Sequence, residues 1–471
     1  MKVRFVKTVA MILAAVLCCH LMGGCAKNEN NSGKTEISVS NWPTDENGKE
    51  KYNVWLESFN KLYGDTYEIK QDTWQYDYQT FLMKAASGTL PTIVGSAFTE
   101  ADRMKNSGYG ADLTEKLKAL DLYDKMDSRV MEIVSKDGKV YSLPIQGYLM
   151  GIVFNAKLFE NAGLKNADGT YKFPKTWDEL VQTAITIKEK TGKPGFILES
   201  LDNGGGWLFT NLAWSFGVKF VEQDENGKWK AAFNTQECYD AYQFLSDLKW
   251  KYDVMPASYM ISQDQTLELL ATDQLGMMMT GASMTAKTCV TQYKMDKENV
   301  GAFAMPAGPA RRVALLGGTI GAVSSKATQE QIEGAFKWWS VTGDLPVVEM
   351  SDEYKQSIRA SFDESTANGE PIGCESFSPW SDTEEAKYRQ ELISEYKNVP
   401  DSLYVDYNAS LKSGSDVEVE PEVPVCSQDL YAILNSINQE VLSNKDADIP
   451  SLVASAAENW QKNYLDKQAN Q

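Results

Sequence analysis

The stretch from Val140 to Leu164 constrains the fold of this chain more than any other. It reads Val140-Tyr-Ser-Leu-Pro-Ile-Gln-Gly-Tyr-Leu-Met-Gly-Ile-Val-Phe-Asn155, then Ala-Lys-Leu-Phe-Glu-Asn-Ala-Gly-Leu164. Gly138 opens it with a turn, and Val140 to Leu143 alternate as a strand does. Pro144 lacks an N–H and is expected to break the ladder. Ile152 to Phe154 then read as a short buried strand, and helix 157–162 follows, stopped by Gly163 in the C′ position. Strand, break, strand and helix describe a chain that leaves one lobe and enters another. An ordinary strand–loop–strand inside one sheet has the same pattern.

Length favours the first description, because 471 residues exceed what one hydrophobic core usually holds. Alternating strands and helices on both sides of the stretch predict doubly wound, mostly parallel sheets. Before it come strands at 36–40, 66–70 and 90–95, with Tyr52, Trp55, Leu56, Phe59 and Leu62 as the core-facing stripe of a helix. Helices at 78–86 and 100–106 complete this half. After it come a capping box of Thr176 and Glu179 on helix 177–191, a strand at 195–198 and helix 206–216 behind Gly204-Gly-Gly-Trp207. Asn234 is expected to cap helix 235–252, and 275–281 reads as a buried strand with core methionines. The run Glu222 to Lys228 resembles a calcium loop, but its twelfth position is Phe233 rather than Glu, and Asn226-Gly227 fits a hairpin turn. The glycine-rich Leu315-Leu-Gly-Gly-Thr-Ile-Gly-Ala-Val323 suits a return crossing. Helix 329–342 follows, Ser413 to Pro424 reads as an exposed acidic loop, and helices near 427–443 and 450–465 come last.

Charge and residue usage exclude several functions. A net charge of −19 argues against nucleic acid or anionic lipid surfaces as partners. His20 is the only histidine and lies in an N-terminal leader, so histidine-based triads and histidine-ligated zinc are excluded for the rest of the chain. Lys2, Arg4 and Lys7, then an apolar run from Thr8 to Leu21, have the form of a secretory signal. The leader ends Leu21-Met-Gly-Gly-Cys25, which resembles a bacterial lipobox with Cys25 as the lipidated residue; 26–34 is a polar tether. Cys238, Cys289, Cys374 and Cys426 have no zinc-type spacing and are expected as free thiols.

Taken together, Gly-Lys-Val-Tyr-Ser-Leu-Pro144, Val153-Phe-Asn155, Leu158-Phe-Glu-Asn-Ala-Gly-Leu164 and Pro174-Lys-Thr-Trp-Asp-Glu-Leu180 resemble the first interlobe crossover of extracellular solute-binding proteins of the maltose-binding type. The resemblance runs from about Glu36 to Leu465. Thr92 stands where the family usually has Asp, and Met22 where the lipobox usually has Leu. It implies an α/β fold of two doubly wound lobes joined by a multi-crossing hinge, the periplasmic-binding-protein type. The expected divisions are 1–24 as signal, 25–34 as anchor and tether, 35–151 with 315–375 as the N-terminal lobe, and 152–314 with 376–471 as the C-terminal lobe. It further implies the carbohydrate-binding subunit of an ABC importer, held by its N-terminal lipid on the extracellular face of the bacterial cytoplasmic membrane. Its partners would be a mono- or oligosaccharide and the permease subunits; it would be a monomer without cofactor, metal or catalytic residues.

Ligands of open α/β lobes bind beyond the carboxyl ends of the strands, and flat aromatic faces suit the C–H faces of sugars. Trp42, Trp74, Phe98, Tyr148, Trp207 and Ser283 fall at such places and are the candidate ligand contacts. Core packing is the alternative for each aromatic. Glu100 loosely matches an acidic ligand position of the family. Trp177 is expected to be structural, and Trp338 and Trp339, on an amphipathic helix, are expected in the core or on the surface. The rival function is a secreted two-carboxylate glycoside hydrolase; a surface adhesin would need no cleft.

Overall fold

The computed structural model describes residues 33–201, 203–347, 349–380 and 382–468. The leader and Cys25 lie outside the described residues.

In the first lobe, β1 (Thr35–Val39), β2 (Tyr67–Gln71) and β3 (Ile93–Ala97) run parallel in the order β2-β1-β3. Helix α1 (Glu46–Tyr63) joins the first two strands, α2 (Tyr78–Ser87) the next. Beyond β3 come α3 (Ala101–Asn106) and α4 (Ser128–Val134). Asp45 caps α1 by accepting a hydrogen bond from the Gly48 amide. The expected stripe of α1 faces the core through Tyr52, Trp55, Leu56 and Phe59. Leu62 does not join it, being 61% exposed; Tyr63, four residues after Phe59, packs there in its place.

The Val140–Leu164 stretch differs from expectation in one respect. There is no break at Pro144: β4 runs unbroken from Leu143 to Asn155. The ladder with the return strand 313–323 shifts by one residue there: Thr319 pairs with Gln146 and Ile320 with Pro144, so Ile145 is the extra residue of a bulge in β4 itself, next to the proline. Asn155 caps the helix after β4, accepting from the Leu158 amide.

In the second lobe, α5 (Trp177–Thr191) begins at the Thr176 cap. Glu179 reaches the Lys175 N–H rather than that of Thr176, one residue short of a capping box. β5 (Phe196–Ile197) leads to α6 (Gly204–Ser215). The hairpin at Asn226-Gly227 forms between 221–223 and 229–231, where Asp224 accepts from the amides of Asn226 and Lys228. Helix α7 (Gln236–Trp250) is not capped by Asn234, whose side chain accepts from the Tyr239 hydroxyl instead. β6 (Met277–Gly281) carries three fully buried methionines, and β7 (Val300–Ala304) follows. Trp177 is buried and donates its Nε1–H to Ser215 Oγ.

The return strand β8 (Val313–Val323) and β4 stitch the lobes into a nine-stranded sheet. β8 pairs antiparallel with β3 through 319–323 and with β4 through 316–321. From Met150 onward β4 turns to new neighbours, antiparallel to β6 and, from Gly151, to β7. β6 in turn pairs with β5 in parallel. Parallel pairing therefore holds among β1, β2 and β3 and between β5 and β6, whereas β4 and β8 run antiparallel to each other, β4 also to β6 and β7, and β8 also to β3. Helix α8 (Gln329–Thr342) packs back on β1 and α1, burying Trp338 and Trp339.

Helices α9 (Asp352–Ala367) and α10 (Glu384–Tyr396) pack on each other, tied by Arg359 to Glu395. Between them Trp380 donates to the Pro144 carbonyl and pairs with Met126. The contacts of residues 377–396 thus lie largely with first-lobe elements, later than a crossing at 375/376 would have it. The segment expected as an exposed acidic loop contains β9 (Glu418–Pro421), paired in parallel with β8 through 313–316. Helices α11 (Ser427–Ser443) and α12 (Ile449–Trp460) close the second lobe against α6 and α7. Among the described residues, Cys238, Cys289, Cys374 and Cys426 form no disulfide.

Candidate ligand cleft

β3 and β9 both use the same edge of β8, β9 at its start and β3 at its end. Between them, around Gly317 and Gly318, the sheet opens. Thr319 pairs with Ala97 on one side and Gln146 on the other, and all three are exposed although they lie in the middle of a nine-stranded sheet. Strand periodicity puts Gly317 and its partner Tyr148 on this same open face.

Glycine at 317 is required by Tyr148. A Cβ there would lie 2.2 Å from Tyr148 Cζ, so only a bare backbone lets the ring lie on the strand. The ring meets Trp207 edge to face, centroids 6.4 Å apart. Trp207 is aimed by the glycine run before it. A Cβ on Gly206 would fall 1.9 Å from the Tyr431 carbonyl oxygen, so α6 and α11 approach backbone to backbone. That contact brings Trp207 and Tyr431 to one carboxylate. Trp207 Nε1 donates to Glu422 Oε1 at 2.8 Å, and the Tyr431 hydroxyl donates to the same oxygen at 3.3 Å. Burial pushes Glu422 up to about 7 against the lowering effect of those two donors, and Glu100 across the opening adds to the rise. Burial, with Glu422 beside it, also raises Tyr148.

The first lobe supplies the facing wall. Asn41 has a left-handed backbone, φ 56°, and its side chain ties the ends of two strands: Nδ2 donates to the Gly95 carbonyl and Oδ1 accepts from the Tyr76 amide. Tyr76 in turn donates its hydroxyl to Glu100, which also accepts from Arg103 Nε at 3.0 Å. Trp74 stands half-buried, 5.9 Å from the Tyr76 ring, its Nε1 donating to Thr80 Oγ1. Beside the gap, on the β8 face that carries Leu316, a cavity of about 180 Å³ lies between Phe98 and Ile133 on one side and Val419, Pro421 and Glu422 on the other.

Two sequence candidates fall outside the cleft. Trp42 is only 3% exposed, packed edge to face on Tyr52 and against Trp338. The turn at Asn41 explains it, since reversing the chain one residue earlier sends Trp42 toward α1 and α8. Phe98 is also 3% exposed; its ring fills the space over Gly318, on the strand face opposite Tyr148. Ser283 is half-buried and accepts from Ser376 Oγ at 2.9 Å. Tyr148 and Trp207 meet at the opening, and Trp74 stands beside Tyr76 and Thr80 in the first lobe. Glu422, Tyr431, Gln146 and Thr319 were missed, because only the β8–β9 ladder and the α6–α11 contact deliver them there. Among the described residues no group of three His, Cys, Asp or Glu is placed to hold a metal ion.

The sequence profile of the family described as "Bacterial extracellular solute-binding protein" matches residues 42–340. The chain is 26% identical over 265 residues to the arabinooligosaccharide-binding protein of Bacillus subtilis (strain 168), covering 53% of this chain and 56% of that one. It is 27% identical over 166 residues to the lactose-binding protein of Rhizobium radiobacter, covering 34% and 37%. These matches thus span about half or less of the length of the curated relatives. Among solved structures, the cyclic alpha-maltosyl-1,6-maltose binding protein from Arthrobacter globiformis has the same fold, with a TM-score of 0.60 and 21% identity over 90% of this chain and 98% of that one.

Proposed function

This chain belongs to the bacterial extracellular solute-binding protein family, and on that premise we propose that it is the carbohydrate-binding subunit of an ABC importer. It captures a mono- or oligosaccharide between its lobes, closes on it and presents it to the permease subunits, without changing it chemically. The observation that carries this reading is the open face at Gln146 and Thr319 beside the Tyr148–Trp207 pair and Glu422, with Glu100, held by Tyr76, close enough to act on Glu422. The aromatic rings would lie against the C–H faces of a sugar, and the carboxylates and amide at their edges would take its hydroxyls. The B. subtilis and R. radiobacter relatives are described as binding an arabinooligosaccharide and lactose, which supports this ligand class.

Trp74, Tyr148, Trp207 and the more peripheral Ser283 are the ligand contacts in this reading. The lobes divide at 151/152 and 314/315 in this reading, and the handover of β4 from β8 to β6 between Leu149 and Met150 supports the first of these. The protein works as a monomer on the outer face of the cytoplasmic membrane, anchored through a lipid on Cys25. Mass spectrometry of the membrane fraction should find an acylated N-terminal Cys25 peptide; an unmodified peptide starting elsewhere refutes the anchor.

The function is tested by a thermal-shift screen with lactose, maltotriose and arabinotriose, because a ligand that prefers the folded state raises the melting temperature. Solution scattering with the best of them should show a smaller radius of gyration, since a ligand touching both lobes shifts the population toward closure. No shift with any sugar, or catalytic hydrolysis of the sugar by the pure protein, overturns the reading.

A further inference from the structure

We propose that Glu422 is the specificity-determining residue of the cleft: it holds Oε2 ready for a hydroxyl donor on the ligand, so the cleft takes neutral sugars and rejects uronates. The inference deepens the sugar-binding reading and rests on it. Trp207 and Tyr431 both donate to Oε1, and among the described residues Oε2 receives no hydrogen bond. The two donors occupy Oε1, leaving Oε2 as the free acceptor beside the aromatic pair.

Charge around it is negative where the ligand must sit. Glu100 on the facing wall acts on Glu422 as a like charge. The nearby cations are committed elsewhere. Arg103 bonds Glu100, Arg129 is paired through two nitrogens with Asp127, and Lys105 donates to the carbonyls of Glu132 and Ile133. A ligand carboxylate would therefore meet two carboxylates and find its counter-ions taken, whereas a hydroxyl satisfies Oε2. The other titratable groups facing Glu422 are Tyr148 on β4 and Tyr431 on α11, both raised by burial, with Asp102, Lys105, Arg129 and Glu132 lining the adjoining cavity.

A measurable proton linkage follows. A donated hydrogen bond favours the ionised form, so ligand binding lowers the Glu422 pKa from its free value of about 7. Affinity is then greatest above that value and weakens as pH falls through it. The ionised fraction drops from about nine-tenths at pH 8 to about one-tenth at pH 6, so the dissociation constant should rise roughly tenfold.

The test is calorimetry at pH 6, 7 and 8 with lactose, maltotriose, arabinotriose and, as the acidic probe, digalacturonate, on wild type and Glu422→Gln. The expected result is a neutral sugar that binds about tenfold more weakly at pH 6 than at pH 8, a flattened slope in the variant, and digalacturonate at least tenfold weaker than the best neutral sugar. A neutral sugar bound with the same slope by both proteins, or digalacturonate bound as tightly, overturns the inference and leaves sugar binding standing. Absence of binding by every probe overturns both. Should the variant fail to fold, the Trp207 indole N–H resonance of the free wild-type protein decides: it should titrate with a midpoint near 7, and an invariant shift overturns the assignment.

Discussion

Replacing Glu199 by Gln should remove a large part of the pH dependence of stability without touching the cleft aromatics. Glu199 follows β5, is 2% exposed, and its Oε2 has no hydrogen-bond partner among the described residues. Desolvation pushes its pKa from 4.5 up to about 7. The folded state therefore binds this proton more tightly than the unfolded chain. Its contribution to stability is fully present below about pH 4.5 and is lost as pH rises through about 7. A rise of about 2.5 units at 1.36 kcal/mol each gives a full loss of about 3 kcal/mol, of which roughly 2 to 3 kcal/mol falls between pH 5 and 8. Urea unfolding at pH 5, 6, 7 and 8 should show the Gln variant losing that much less than wild type over the range. The new amide also leaves a polar group unpaired, but that offset is the same at every pH, so the slope is the readout. Glu422 shifts in the same direction and is present in both proteins, so it cancels in the difference. Parallel stability curves for the two proteins would refute a buried, titrating Glu199.

Gly317→Ala should push the Tyr148 ring off β8 and away from Trp207, weakening sugar binding by about tenfold by calorimetry, with a smaller effect on melting temperature because the ring's far end can move. Gly206→Ala should cost more than about 2 kcal/mol in urea unfolding, because the obstacle there is the Tyr431 backbone carbonyl rather than a movable side chain. Trp42→Ala and Trp207→Ala should separate: the first costs about 3 to 5 kcal/mol of stability while folded molecules bind normally, and the second keeps its fold while losing affinity about tenfold or more. Normal binding by Trp207→Ala contradicts the cleft assignment.

The parts of the fold readable in the sequence are those set by local rules. The 3.6-residue stripe of α1, the Thr176 cap and the Asn226-Gly227 turn each follow from neighbours a few residues apart. Pro144 misled because a proline stops a ladder only where its missing N–H is needed, and the bulge at Ile145 beside it shows only in the pairing with a strand about 175 residues away. β9 misled for a related reason. Pro421, Pro424 and a run of Glu have loop composition, yet the segment is a strand because β8 offers it an unpaired edge. That one tertiary event also delivers Glu422, so the residue was as invisible as its strand. Trp42 and Trp74 both follow strand ends and look alike in sequence; the left-handed turn at Asn41 is what sends one to the core.

Where the partners change along β4 and β8, the proposed hinge and the proposed binding site share residues. β4 pairs with β8 through Leu149 and with β6 from Met150, so the ladder hands over between lobes within two residues. Tyr148 sits immediately before the handover, and Gly317 opposite it lies in the two-residue interval of β8 that neither β9 nor β3 pairs. If one lobe rotates against the other, that interval would strain the fewest ladder bonds, since only β4 pairs with it. A ring lying on the interval and pressed against Trp207 of the second lobe is therefore placed to feel closure directly. Under the proposed function, a sugar that braced Tyr148 against Trp207 would act on the hinge at the point where it turns, and its contact energy would go into the open–closed equilibrium without a relay through the lobes.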